Sequence, residues 1–172
     1  DGLAQVFVGH AAVQIGAVAQ PLRAPLLRAL HQVLEPMVIH LQCGGERSIV
    51  GLDVLRDVLV PEHGCQFPAD LQGGQKTGWY YDQRPHRAFA ARCAKGARVL
   101  DACCYTGGFA VQAARAGARG VLALDRSQPA LDLARQAAAL NGVSERITCV
   151  RADVFEELPA LAERGEGFDL VI

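Results

Sequence analysis

Asp101, Asp125 and Asp153 each close a short apolar run and each is followed by a segment of helical pattern, so an acid recurs at three successive strand ends. Asp125 lies 24 residues after Asp101, where a carboxylate can accept hydrogen bonds from both hydroxyls of a ribose. Asp153 follows the third run, where a short acceptor can meet the exocyclic amine of an adenine. Between the first acid and its helix runs Asp101-Ala102-Cys103-Cys104-Tyr105-Thr106-Gly107-Gly108-Phe109. Two glycines at a helix start let the backbone approach a ligand closely and present unpaired amides to a negative group. The chemistry these residue types imply is the holding of a nucleoside-bearing ligand. Each acid also has a plainer reading: Asp101 as a turn residue, Asp125 as a cap of the helix after it, and Asp153 as a cap of the helix starting near Phe155. A nucleoside cleft accounts for all three together.

The elements that must position these residues alternate strictly. Arg98 to Asp101, Val121 to Leu124, Ile147 to Arg151 and Phe168 to Ile172 read as strands, and Phe109 to Ala116, Ser127 to Leu140 and Phe155 to Arg164 as helices. Strands and helices joined by short loops imply a parallel sheet with right-handed crossovers, a doubly wound α/β domain whose ligand sits outside the carboxyl ends of the strands. Ahead of it, Asp82 and Pro85 open a helix that runs to about Ala94 and stops at Lys95-Gly96. Gly73-Gly74 marks a break, and residues 1–72 read as a separate small α+β module. There the alternation of Val6 and Val8, then Val13 and Ile15, predicts a hairpin. Leu22, Leu26, Leu30 and Val33 predict a helix over 21–34 ended by Pro36. Met37 to Leu41, Val58 to Val60 and Cys65 to Ala69 are of strand length, the last two bracketing the turn signal Pro61 to Gly64.

Composition narrows the class further. Apolar residues make up 51% of the 172, charged ones 20%, and the net charge is -1, the profile of a globular chain rather than a disordered or collagen-like one. A balanced total is neutral on nucleic acid, so any such surface must be local. Apolar stretches are broken by Arg, His, Glu or Gln before the roughly 20 residues of a membrane span. The chain starts at Asp1 with no initiator methionine and no signal-peptide pattern, which predicts truncation upstream. Six cysteines, at 43, 65, 93, 103, 104 and 149, form no C-x-x-C pair and have no histidine at zinc-finger spacing. They read as reduced thiols packed as small apolar groups, with no metal.

A dinucleotide-binding loop would show G-x-G-x-x-G, whereas this loop reads C-C-Y-T-G-G-F, so a nicotinamide-binding domain ranks second. The stretch Gly74-Gln75-Lys76-Thr77-Gly78-Trp79-Tyr80-Tyr81-Asp82-Gln83-Arg84, with Val99-Leu100-Asp101 and Cys104-Tyr105-Thr106-Gly107-Gly108-Phe109-Ala110, resembles the bacterial ribosomal RNA large-subunit methyltransferases that make 5-methylcytosine. The resemblance covers nearly the whole chain. It implies a Rossmann-like class I methyltransferase domain over 73–172 preceded by the family's central domain over 1–72, S-adenosylmethionine as cofactor, 23S ribosomal RNA as substrate and a cytoplasmic location. Residue by residue it would set Tyr105, Gly107 and Gly108 around the methionine part of the cofactor, Asp125 at its ribose and Asp153 with Val154 at its adenine, with Asp101 and Thr106 also among the cofactor-binding residues. Arg126 and Ser127 would line the same cleft, and Lys76, Thr77, Asp82 and Arg84 fall in a stretch that folds over the cofactor. Cys103 stands where the family usually has an aromatic. The family's acidic-Pro-Pro loop and nucleophilic cysteine come after the position of Ile172, so the expectation is a fragment without its catalytic segment and with no catalytic residue of its own.

For RNA, Trp79, Tyr80 and Tyr81 are interleaved with Lys76, Arg84, His86 and Arg87, a mix that offers stacking faces for bases and cations for phosphates. Packing at a domain junction is the competing reading. The alternatives in function are a guanine methyltransferase of the same fold and a non-catalytic RNA-binding remnant.

Overall fold

The computed structural model describes residues 2–7, 10–15, 17–34, 38–43, 46–51, 58–71 and 78–172. The chain divides into two compact units, residues 1–60 with 69–80 and residues 61–68 with 81–172.

In the first unit, strands β1 (Gly2–Phe7), β2 (His10–Ile15), β3 (Val38–Cys43) and β4 (Glu46–Gly51) form one sheet in that order. β1 and β2 are the expected hairpin. β2 and β3 are parallel, so the chain between them must cross over, and helix α1 (Arg23–Leu34) does so. Ala11, Val13, Ile15, Ile39, Leu41 and Cys43 alternate along the two central strands and pack as one core with Leu26, Leu27, Leu30 and Val50. Two expectations change here. The helix expected from residue 21 begins at Arg23 after a 3-10 segment Ala17–Leu22. That change of winding takes Leu22 out of the apolar stripe and leaves it 62% exposed, while Val33 in the last turn is 78% exposed. β4 carries too many polar residues, Glu46, Arg47 and Ser48, to signal a strand by hydrophobicity; its pairing with β3 makes it one.

β5 (Val58–Glu62) and β6 (Cys65–Ala69) form a two-stranded hairpin. His63 and Gly64 turn it with φ of 49° and 74°, the left-handed pair of a tight hairpin turn.

In the second unit, β7 (Arg98–Ala102), β8 (Gly120–Asp125), β9 (Ile147–Arg151) and β10 (Leu170–Val171) are all parallel, in the order β10-β7-β8-β9. α2 (Arg84–Cys93) packs on α3 (Gly108–Arg115), α3 on β7 and β8, and α4 (Gln128–Leu140) on β8 and β9. The buried residues of these helices are mostly alanines, which bring helix axes close to the sheet. α5 (Val154–Glu163) carries the chain from β9 back past β8 and β7 to β10. Right-handed crossovers therefore put it on the face opposite α3 and α4. Its Leu161 closes the core of Leu100 and Leu124 there. The strand order reverses between β7 and β10, and a crevice opens at such a reversal.

Candidate functional site

The loop from β7 to α3 begins with a buried carboxylate. Asp101 is 2% exposed and accepts the Ala110 amide at 2.9 Å, tying the strand end to the first turn of α3. It belongs to the strand, not to a turn. The loop beyond it alternates in hand: Cys103, Tyr105 and Gly107 have φ of 71°, 51° and 76°. Two side-chain-bearing residues at positive φ within three positions are held only where surrounding bonds fix them. Those bonds are the Cys104 amide to Leu124 O at 2.8 Å, the Tyr105 amide to Asp125 Oδ2 at 2.8 Å and the Gly107 amide to Cys104 O at 2.9 Å. At Gly107 an added Cβ would lie 3.0 Å from the Ala134 Cβ, so both conformation and proximity to α4 call for glycine.

Asp125 bridges two loops. Its Oδ2 takes the Tyr105 amide and its Oδ1 takes the Ser127 amide at 2.8 Å. The cap of α4 is instead Ser127, whose Oγ accepts from Ala130 at 3.3 Å. Asp153 does cap α5: its Oδ1 accepts the Phe155 amide at 2.9 Å, and its Oδ2 faces Arg126 Nη1 at 3.4 Å. Val154 follows as a half-buried residue beside a Phe155 that is 89% exposed. Asp125 thus holds Tyr105 and lies near Asp101, and Arg126 joins Asp153.

The other expected residues stand differently. Lys76 and Thr77 lie outside the described residues. Asp82 and Arg84 are exposed, at the 3-10 segment Tyr81–Gln83 and the start of α2. Asp82 does not cap that helix; Gln83 is at the cap position and makes no side-chain capping bond. Trp79 is 3% exposed, which makes it a packing residue rather than a stacking face. Arg87, expected as a phosphate contact, is 4% exposed and paired with Glu62. A guanidinium already buried against a carboxylate offers no charge to RNA.

That pair is the feature sequence reasoning passed over. Arg87 Nε and Nη2 donate to Glu62 Oε1 and Oε2 at 2.7 and 2.8 Å, and Gln112 Nε2 donates to Glu62 Oε1 at 2.8 Å. Burial, then the Glu62 charge, raises the Tyr81 phenol above its ordinary range. A signal was present: Val58, Val60 and Glu62 alternate along β5, so the acid occupies an inward position.

Burial carries the Asp101 carboxyl up to about 7, the Ala110 amide opposing and the nearby Asp125 adding to the rise. The Cys104 thiol is pushed far up by burial, with Asp101 and Asp125 adding to it, and burial raises Cys65 and Cys149 as well. These three are thiols, not thiolates, at neutral pH. Among the described residues no group of three or more His, Cys, Asp or Glu could hold a metal, and no helix is long and apolar enough to cross a membrane.

Among the described residues of the loop from β7 to α3, one buried polar side-chain atom lacks a hydrogen-bond partner. The Thr106 hydroxyl, in a residue 1% exposed, has no hydrogen-bond partner although it sits in the middle of the loop. An unpaired buried hydroxyl is costly unless a ligand or water completes it.

The chain is 48% identical over 114 residues to a ribosomal RNA large subunit methyltransferase I of Salmonella arizonae, and 47% identical over the same length to that of Salmonella typhi. The match takes in 66% of this chain and 28% of each relative, so the chain spans under a third of their length. A structure described as an S-adenosylmethionine-dependent methyltransferase from Streptococcus mutans superposes with a TM-score of 0.89 at 21% identity, covering 98% of this chain and 46% of that one. A methyltransferase crystallised with SAH gives 0.88, also at 21% identity, over 98% and 46%. These structural likenesses establish the Rossmann-like methyltransferase fold. The model of the S-adenosylmethionine-dependent methyltransferase family matches residues 24–172, and the chain belongs to that family.

Proposed function

We propose that this chain supplies the S-adenosylmethionine platform of an enzyme that methylates 23S ribosomal RNA, at the 5-carbon of a cytosine. The observation that carries the reading is the bracing of the 103–108 loop between Asp101 and Asp125, which leaves a buried Thr106 hydroxyl without a partner. The donor set fits the cofactor. Asp125 has carboxylate lone pairs beyond its two amide bonds for the ribose hydroxyls. Asp153 keeps an oxygen not used in capping for the adenine amine, beside Val154. Tyr105, Thr106, Gly107 and Gly108 would receive the methionine part, with Arg126 and Ser127 along the same edge. Lys76, Thr77, Asp82 and Arg84 would close over it. When bound, the cofactor supplies an electrophilic methyl group on a sulfonium.

The substrate assignment rests on the names of the Salmonella relatives and on the G-Q-K-T-G and C-Y-T-G-G-F stretches. A cytosine 5-carbon becomes nucleophilic only after a thiolate adds to its neighbour. This reading gives the chain cofactor binding and assigns it no catalytic residue. Residues 1–72 and 73–172 are the two functional domains in this scheme.

Calorimetric titration tests it. S-adenosylmethionine should bind and lose at least about tenfold in affinity in Asp125→Ala, the worth of about 1.4 kcal/mol for a charge-assisted contact. Tight binding of NAD with none of S-adenosylmethionine would overturn the cofactor assignment.

A further inference from the structure

Glu62, Arg87 and Gln112 come from three different elements, β5, α2 and α3, and meet with side chains removed from water. A buried ion pair is a poor source of net stability, because desolving two charges offsets their attraction. What the two-pronged contact does provide is orientation: a planar guanidinium fork against a carboxylate fixes angle as well as distance. The third bond, from Gln112, extends that constraint to the middle of α3. The Arg87 guanidinium also lies over the Phe109 ring, 5.9 Å from its centroid, so α3 is held at two positions one turn apart. Phe109 directly follows Gly107-Gly108. The hairpin end of the node is itself anchored, since Asn141 at the end of α4 donates to Gln66 O at 2.7 Å and accepts the Gln66 amide at 2.9 Å. α4 is the helix that Gly107 touches through Ala134.

We propose that the Glu62–Arg87–Gln112 node is a positioning device for the cofactor loop. It sets where the first turn of α3 sits, and hence where the amides of residues 104–110 meet Asp101 and Asp125. Glu62, Arg87 and Gln112 are positioning residues in this scheme; none touches the ligand. The inference rests on the cofactor reading for its purpose, but its structural content is readable without any ligand.

The test separates orientation from stability. In the triple variant Glu62→Leu, Arg87→Met, Gln112→Leu, apolar groups replace the ionic node, a change that often leaves stability intact. Melting should stay near that of the parent protein. Amide hydrogen exchange at Tyr105 and Ala110 should quicken about tenfold and SAH should bind about tenfold more weakly, the size of coupling expected between linked neighbours. Should the triple variant fail to fold, Arg87→Lys retains the charge and loses the fork, and the same local quickening is expected. Exchange at residues 104–110 equal to the parent's, or faster only in step with every other amide of the sheet, would overturn the proposal. A parent protein that binds no SAH would instead refute the cofactor reading, while the exchange data still decide the node.

Discussion

The Asp101 carboxyl is removed from water at the base of the loop, and burial lifts its pKa from 3.8 to about 7. Between those values the folded protein keeps a proton that the unfolded chain has released. Stability therefore falls as pH rises from about 4 to about 7 and levels off above, the direction set by the greater proton binding of the native state. Asp101→Asn removes this titration. Its melting temperature relative to the parent should climb across that window and stay constant beyond it, and a difference that does not vary with pH would refute the buried, raised carboxyl. Cys104, buried with Asp101 and Asp125 close by, packs as an uncharged thiol.

Among the elements, α5 shows a residue with two duties. Asp153 caps the helix through Oδ1 and leaves Oδ2 toward Arg126. Asp153→Ala loses the cap and should cost about 1 kcal/mol in chemical denaturation. Asp153→Asn retains an oxygen for the Phe155 amide, so its stability should fall by less than about 0.5 kcal/mol, asparagine being as good a cap as aspartate. Its second group is an NH2, which cannot accept from an adenine amine, so affinity for S-adenosylmethionine should drop in both variants. Unchanged affinity in Asp153→Asn would reduce the residue to a cap. α3 and α4 illustrate the complementary case, where alanine-rich faces and Gly107 allow the close approach that the loop requires.

For the whole molecule, a ligand that binds the folded form stabilises it by mass action. S-adenosylmethionine at a hundred times its dissociation constant should add about 2.7 kcal/mol, which is about 5–10 °C in melting temperature for a chain of this size. NAD at equal concentration should leave the melt unmoved. A shift with NAD and none with S-adenosylmethionine would contradict the proposed platform.

What the linear sequence determined is what depends on local pattern. Alternation predicted the β1–β2 hairpin through Val13 and Ile15, and the succession of apolar runs and helical stretches from Arg98 onward predicted a parallel sheet, because backbone pairing and side-chain periodicity follow from neighbours in the chain. The acids at Asp101, Asp125 and Asp153 were legible for the same reason, each standing where a strand ends. Tertiary structure alone decided which role each acid plays in the fold, since a cap and a loop brace differ in which distant amide reaches the carboxylate: Phe155 for Asp153, Tyr105 for Asp125. It also decided that Arg87 is a buried partner of Glu62 and not a surface cation, that β4 is a strand, and that Leu22 and Val33 face water. Charge and hydrophobicity are properties of a residue, but burial is a property of what the rest of the chain places around it.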